Sequence, residues 1–266
     1  MHSVEDLVAD LHALGVRPGD RLMVHASLRR IGPVEGGAAG VVEAIDRTLG
    51  PTGTWLMVYG ARDDHAWVNE RPEAERAALL ADAEPFDRLR TPVLPEVGVL
   101  AEVMRTTPGT VVNDNPEGRF GARGALAEAW LHDHPWDDYY GPGSVLDRFA
   151  SAGGRVLRMG ANPDTVTVLH HAEYLADVPD KLRVRRHRLV ATPEGPRIVV
   201  VECLDDEDGI VPDERQPAED YFALILREFL ATHPYAAGRV GEAPSELIDA
   251  APLVRFGAAW MSRHLT

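Results

Sequence analysis

Few of the 266 residues have both the chemistry and the spacing to act on a substrate. The most suggestive group is Thr167-Val168-Leu169-His170-His171-Ala172-Glu173. On a helix, His170 and Glu173 stand three residues apart and share a face, so imidazole and carboxylate can touch. A carboxylate beside an imidazole fixes its tautomer and raises its basicity, which a general base near neutral pH requires. His171 points about 100° away on the same helix and is the weaker candidate. A plain surface ion pair has the same spacing, as does part of a metal site that takes a third ligand from elsewhere. A second group, His25-Ala26-Ser27, closes the first apolar run, and Gly36-Gly37 follows in a loop that opens a helix. Free backbone N–H groups at such a start suit a phosphate or pyrophosphate, although ordinary turns use glycine too.

Other chemistries are excluded by what is scarce. The only lysine is Lys181, so there is no Gly-Lys-Ser/Thr phosphate loop, and Schiff-base chemistry would rest on a residue beside an arginine cluster. One cysteine, Cys203, rules out an intrachain disulfide framework and any Cys-rich zinc module. With 42 acidic and 27 basic side chains, the net charge of −15 repels nucleic acid and favours a cationic small molecule. No run approaches the roughly 18 apolar residues that a membrane helix needs. The start of the chain carries Glu5, Asp6 and Asp10 rather than a basic and then apolar leader, so a cytoplasmic location is expected.

The periodicity places these residues on elements. Val4, Leu7, Val8, Leu11 and Leu14 predict a helix with Ser3 as cap and Gly15 as stop. Leu22 to Val24 predicts a buried strand, residues 38 to 49 a helix, and Trp55 to Val58 a second strand. Strand, glycine loop, helix and strand form a βαβ pattern, which implies parallel pairing under covering helices. Residues 59–95 read as an inserted surface lobe within a single domain spanning 1–266. A strand at Val156 to Met159 precedes the His170 helix, placing His170 and His25 near the carboxyl ends of strands, where α/β sheets bind ligands. Arg183 to Val201 predicts a hairpin around Pro193-Glu194-Gly195.

Several blocks, in order, resemble the aminoglycoside 3-N-acetyltransferases. They are Val24-His25-Ala26-Ser27-Leu28 through Gly32, Val34 and Gly36-Gly37; Leu49 to Thr54; Pro85-Phe86-Asp87; Thr91-Pro92-Val93; and Gly98 to Glu102. Gly143-Ser144, Thr167 with Leu169-His170-x-Ala172-Glu173, and Gly238-Arg239-Val240-Gly241-x-Ala243 complete the series. Where relatives usually read Ser-Phe, this chain has Arg119-Phe120, and Asn162-Pro163 stands where many have Gly-His.

The resemblance implies an α/β/α sandwich with a mixed, largely parallel central sheet, distinct from the commoner acetyltransferase superfamily. It implies transfer of acetyl from acetyl-CoA to the 3-amino group of an aminoglycoside, without a metal. By resemblance His170 is the base, Glu173 its partner, and His25, Ala26, Ser27, Leu28, Gly36, Gly37 and Thr167 form the coenzyme A site. A polycationic acceptor needs carboxylates. Asp63 and Asp64, after one strand, and Asp205, Asp206 and Glu207, after another, are expected to line one mouth with the lobe as lid. The residues leave open a different amine acceptor, a metal-dependent hydrolase using His25, His170 and a carboxylate, and a coenzyme A binder without turnover. A monomer or homodimer is expected.

Overall fold

The computed structural model describes residues 1–266. Helix α1 (Val4–Leu14) begins with a reciprocal cap, in which Ser3 Oγ accepts from Asp6 N–H and the Asp6 carboxylate accepts from Ser3 N–H. Gly15, at φ 109°, closes it. There follow β1 (Arg21–Ala26), α2 (Leu28–Ile31), α3 (Ala38–Leu49) and β2 (Thr54–Val58). The lobe carries α4 (Glu73–Leu79). Next come α5 (Val99–Thr106), β3 (Val111–Val112), β4 (Phe120–Gly124), α6 (Ala127–Leu131), α7 (Val145–Ser151), β5 (Arg155–Met159) and α8 (Leu169–Leu175). A hairpin of β6 (Arg183–Val190) and β7 (Arg197–Leu204) precedes α9 (Tyr221–Thr232), β8 (Ala236–Val240), β9 (Ala243–Asp249) and α10 (Ala250–His264).

Seven strands form one sheet in the order β3-β4-β2-β1-β5-β9-β8. It is mixed: β1 pairs in parallel with β2 and β5 at the centre, and the pairings towards both edges are antiparallel. Strands β4 and β8 are absent from the sequence expectation because β4 reads Phe-Gly-Ala-Arg-Gly and β8 Ala-Ala-Gly-Arg-Val, with little of the β-branched content that marks a strand. Side chains alternate across the sheet. Leu22 and Val24 of β1 join α1, α3 and α5 in one core, while Met23 joins α7, α8, α9 and α10 in the other. Helices therefore cover both faces, giving an α/β/α sandwich. No helix is long and apolar enough to cross a membrane.

Two features position the site. Helix α8 lies close under α10 because Gly257 has no side chain; a Cβ there would stand 2.7 Å from Leu169 Cδ2 and 3.2 Å from Ala172 Cβ. The lobe is held by Arg119, which is fully buried. Its guanidinium donates to the carbonyls of Gly60, Arg88, Thr91 and Pro92 and lies over the rings of Tyr59 and Phe86. Burial, with the nearby charge of Arg105, draws its pKa down to about 10, so it stays charged at neutral pH. Phe86 and Val190 bridge the lobe to the hairpin.

Arg119→Met keeps most of the volume but leaves those carbonyls without a donor. We expect a loss of about 2 to 5 kcal/mol in stability and faster proteolysis within residues 60–95. Urea denaturation and limited proteolysis read both; an unchanged midpoint and cleavage pattern would contradict this account of the lobe.

Candidate active site

At the carboxyl ends of β1, β2 and β5 lies a cleft of about 600 Å³. Its walls are residues 25–30, Met57 and Val58, residues 96–100, the loop after β5 with Thr167, and the side chains of His170 and Phe222. His170 Nδ1 is 2.8 Å from Glu173 Oε2, and Glu173 is 1% exposed. The other carboxylate oxygen accepts the hydroxyl of Tyr221, from the first turn of α9. With Nδ1 engaged, Nε2 is the ring nitrogen left to take a proton. Tyr140 stacks on the imidazole at 5.0 Å and Phe222 meets it edge-on at 4.8 Å. His171 faces the other way, and its Nδ1 lies 2.8 Å from the carbonyl oxygen of Tyr140, fixing the residue that stacks on His170.

Burial alone would lower the pKa of His170. The charge and hydrogen bond of Glu173, with Asp206 and Asp220 farther off, outweigh it and hold the imidazole above the ordinary histidine value. The phenol of Tyr221 is pushed well up by burial and by Glu173, so it remains a donor. His25 lines the same cleft under the opposite conditions. Burial, and then the charge of Arg158, pull it down to about 3, and its Nε2 has no partner. A weak base and a strong one thus face one cavity, and His170 is the strong one. No three His, Cys, Asp or Glu side chains converge on a point that would hold an ion, so the hydrolase reading lacks a ligand set.

Ala26, Ser27, Leu28 and Thr167 line the cleft with His25; Gly36 and Gly37 do not. The two glycines, at φ 73° and 59°, turn the chain from Val34 into α3. The acidic residues are only partly gathered. Arg186 and Arg188, on the same face of β6 and both buried, organise them. Asp63 and Glu117 lie 3.2 and 3.1 Å from Arg188. Asp206 is 2.5 Å, Asp205 3.6 Å and Glu207 3.7 Å from Arg186. Asp64 stands apart on the surface with Arg62. None of these lines the 600 Å³ cleft, but Asp206 accepts from Tyr139, whose ring packs against Tyr140 at 4.6 Å. The network is therefore two aromatic rings from His170. Arg186, Arg188, Glu117, Tyr139, Tyr140 and Tyr221 have no local sequence signal, since each meets its partner only through the fold.

A half-buried imidazole held by a buried carboxylate at the edge of an open cleft has the geometry of a general base. Comparison with known proteins narrows this. Residues 23–262 match the family model of aminoglycoside 3-N-acetyltransferases. The chain is 36% identical to aminoglycoside N(3)-acetyltransferase III of Serratia marcescens, covering 99% of this chain and 98% of that protein. It is 38% identical to aminoglycoside N(3)-acetyltransferase VIII of Streptomyces fradiae, covering 97% and 91%. Among solved structures, AAC-IIIb in a binary complex with CoASH superposes with a TM-score of 0.91 at 41% identity, covering 98% and 96%. AAC-VIa bound to sisomicin gives 0.91 at 35%, covering 99% of each chain. The chain belongs to the aminoglycoside 3-N-acetyltransferase family.

Tyr221→Phe deprives Glu173 of a donor. The uncompensated carboxylate then holds protons more tightly, so the His–Glu pair should titrate at higher pH. We expect kcat to fall about tenfold, the scale of a hydrogen bond to a charged group, and the acid limb of kcat/KM to move to higher pH. A limb that stays in place would remove Tyr221 from the pair.

Proposed function

We propose that this chain transfers the acetyl group of acetyl-CoA to the 3-amino group of an aminoglycoside and so confers resistance. The observation that carries this reading is the His170–Glu173–Tyr221 arrangement opening onto the cleft. An acceptor amine is protonated at neutral pH and cannot attack a thioester until that proton leaves. His170 Nε2 takes a proton from the amine as its nitrogen forms the C–N bond to the acetyl carbon; the C–S bond breaks and the proton passes to the departing sulfur. Counting the proton first lost by the ammonium, each turnover yields the amide, coenzyme A thiol and one proton.

Burial, with the charge of Asp206, pushes the thiol of Cys203 up to about 12, and it lies against Tyr139 and Arg186, so no cysteine nucleophile competes. The apolar side chains of Met57, Val58, Val97 and Leu100 suit the pantetheine arm, with His25 to Leu28 and Thr167 around it. On the far side of Tyr140, five carboxylates surround two guanidinium groups, an excess of negative charge that suits a polycation. Glu207, the most exposed of them, is the one most available to an ammonium. A need for acetyl-CoA, a metabolite of the cytoplasm, supports a cytoplasmic location for the reaction.

The test is release of coenzyme A thiol from acetyl-CoA with a panel of aminoglycosides, followed by NMR of the product. Acetyl on the 3-amino nitrogen is expected, and His170→Ala should lower kcat by roughly 10² to 10⁴-fold. Raising the salt concentration should raise KM for the aminoglycoside with little change in kcat. Turnover only with uncharged or singly charged amines would replace the aminoglycoside with another acceptor.

A further inference from the structure

We infer that the open edge of β7 is a dimerisation surface, to which a second copy of this chain adds its own β7, antiparallel, about a two-fold axis at Val199. The hairpin is fully paired on one side only. The side chain of Asn69 engages both the N–H and the C=O of His187, and Phe86 N–H donates to the carbonyl of Leu189. These β6 residues therefore turn their backbone groups away from β7, and in an antiparallel ladder the residues facing them do likewise. Those are Val200, opposite His187, and Ile198, opposite Leu189. Their N–H and C=O groups point outward from β7, and no other group of the chain bonds them there. The open stretch is closed at both ends. Pro196 has no N–H, while Glu202 N–H donates to the carboxylate of Asp137 and its C=O accepts from Asp138 N–H.

Ile198 and Val200 are 37% and 40% exposed, although both are apolar. Edge strands ordinarily carry a lysine, a proline or a bulge where their backbone is open, and none interrupts β7 between Arg197 and Glu202. Two free residues, two positions apart, are matched in full by the same two running the other way. Antiparallel pairing sets Ile198 opposite Val200 of the second copy, and Val200 opposite its Ile198. Each pair exchanges both backbone bonds and puts branched side chains together on one face. The charges agree with this register. Arg197 has no carboxylate within ion-pair distance and Asp137 no cation, and they flank opposite ends of the open stretch. The two-fold axis carries Arg197 to the end of the second β7, where Asp137 holds Glu202, and does so twice. Such complementarity fixes register more than affinity, and a closed two-fold pair leaves neither edge open. A foreign strand would find the same two residues without the charge match. Pairing joins the two hairpins into one sheet and stiffens the strand that carries Arg186 and Arg188.

Sedimentation equilibrium of the full chain across the micromolar range reads the association. The mass should rise with concentration from 29.1 kDa to twice that value and no further. Val200→Pro removes only the outward N–H and leaves the bonds to β6 in place. It should raise the dimer Kd by about tenfold or more, as should Ile198→Lys. Amide hydrogen exchange in the wild-type protein is a second reading that needs no variant to fold: the amides of Ile198 and Val200 should exchange more slowly as concentration rises. A mass that stays at 29.1 kDa throughout would overturn the inference. So would a dimer that both variants leave intact with those two amides unprotected, or growth past the dimer, which would mean an open chain of copies.

Discussion

A carboxylate with one per cent of its surface exposed must be held by donors, and the site depends on how Glu173 is held. One oxygen faces His170 and the other Tyr221. Held in this way, the carboxylate has a partner on each oxygen, and its interaction with His170 offsets the penalty that burial places on a protonated imidazole. Much of the architecture serves this contact. α10 lets α8 approach through Gly257, α9 delivers Tyr221 and Phe222 together, and His171 fixes Tyr140 above the ring. His25 shows what happens without such a partner: burial and a neighbouring arginine leave it a poor base in the same cleft.

Around that contact the charges are sorted rather than spread. The β6 hairpin brings two buried arginines among five carboxylates, which joins the lobe at Asp63 to the loop at Glu117 and the turn at Asp205 to Glu207. Burial pushes Glu117 and Glu207 above the usual carboxylate range, although the arginines oppose it. Arg119 anchors the same lobe through four backbone carbonyls and the rings of Tyr59 and Phe86. This acidic network thus ties together three segments far apart in sequence.

His170 and Glu173 were legible in the sequence because a helix brings residues three apart onto one face, so local periodicity carries the contact. The βαβ centre was legible for a similar reason, in the apolar runs of β1, β2 and β5. Tyr221 was not, since 48 residues separate it from Glu173 and only the packing of α9 on α8 joins them. β4 and β8 escaped because glycine and alanine replace branched side chains where neighbours crowd in; a Cβ on Gly121 would stand 2.1 Å from the ring of Tyr59. The acidic runs were visible as residues, but their arginine partners lie across a hairpin or on another segment. Gly36-Gly37 reads like a phosphate loop by composition, yet its φ values serve a turn outside the cleft.

The most direct test of the account is the titration of His170 itself, followed by NMR in ¹⁵N-histidine-labelled protein with and without Glu173→Gln. The ordinary histidine value is about 6.5. A midpoint above it is expected in the wild-type protein, and a midpoint below it in Glu173→Gln, where burial is opposed only by the more distant Asp206 and Asp220. A wild-type midpoint below the ordinary value, or one that Glu173→Gln leaves unmoved, would contradict the claim that Glu173 makes His170 the base.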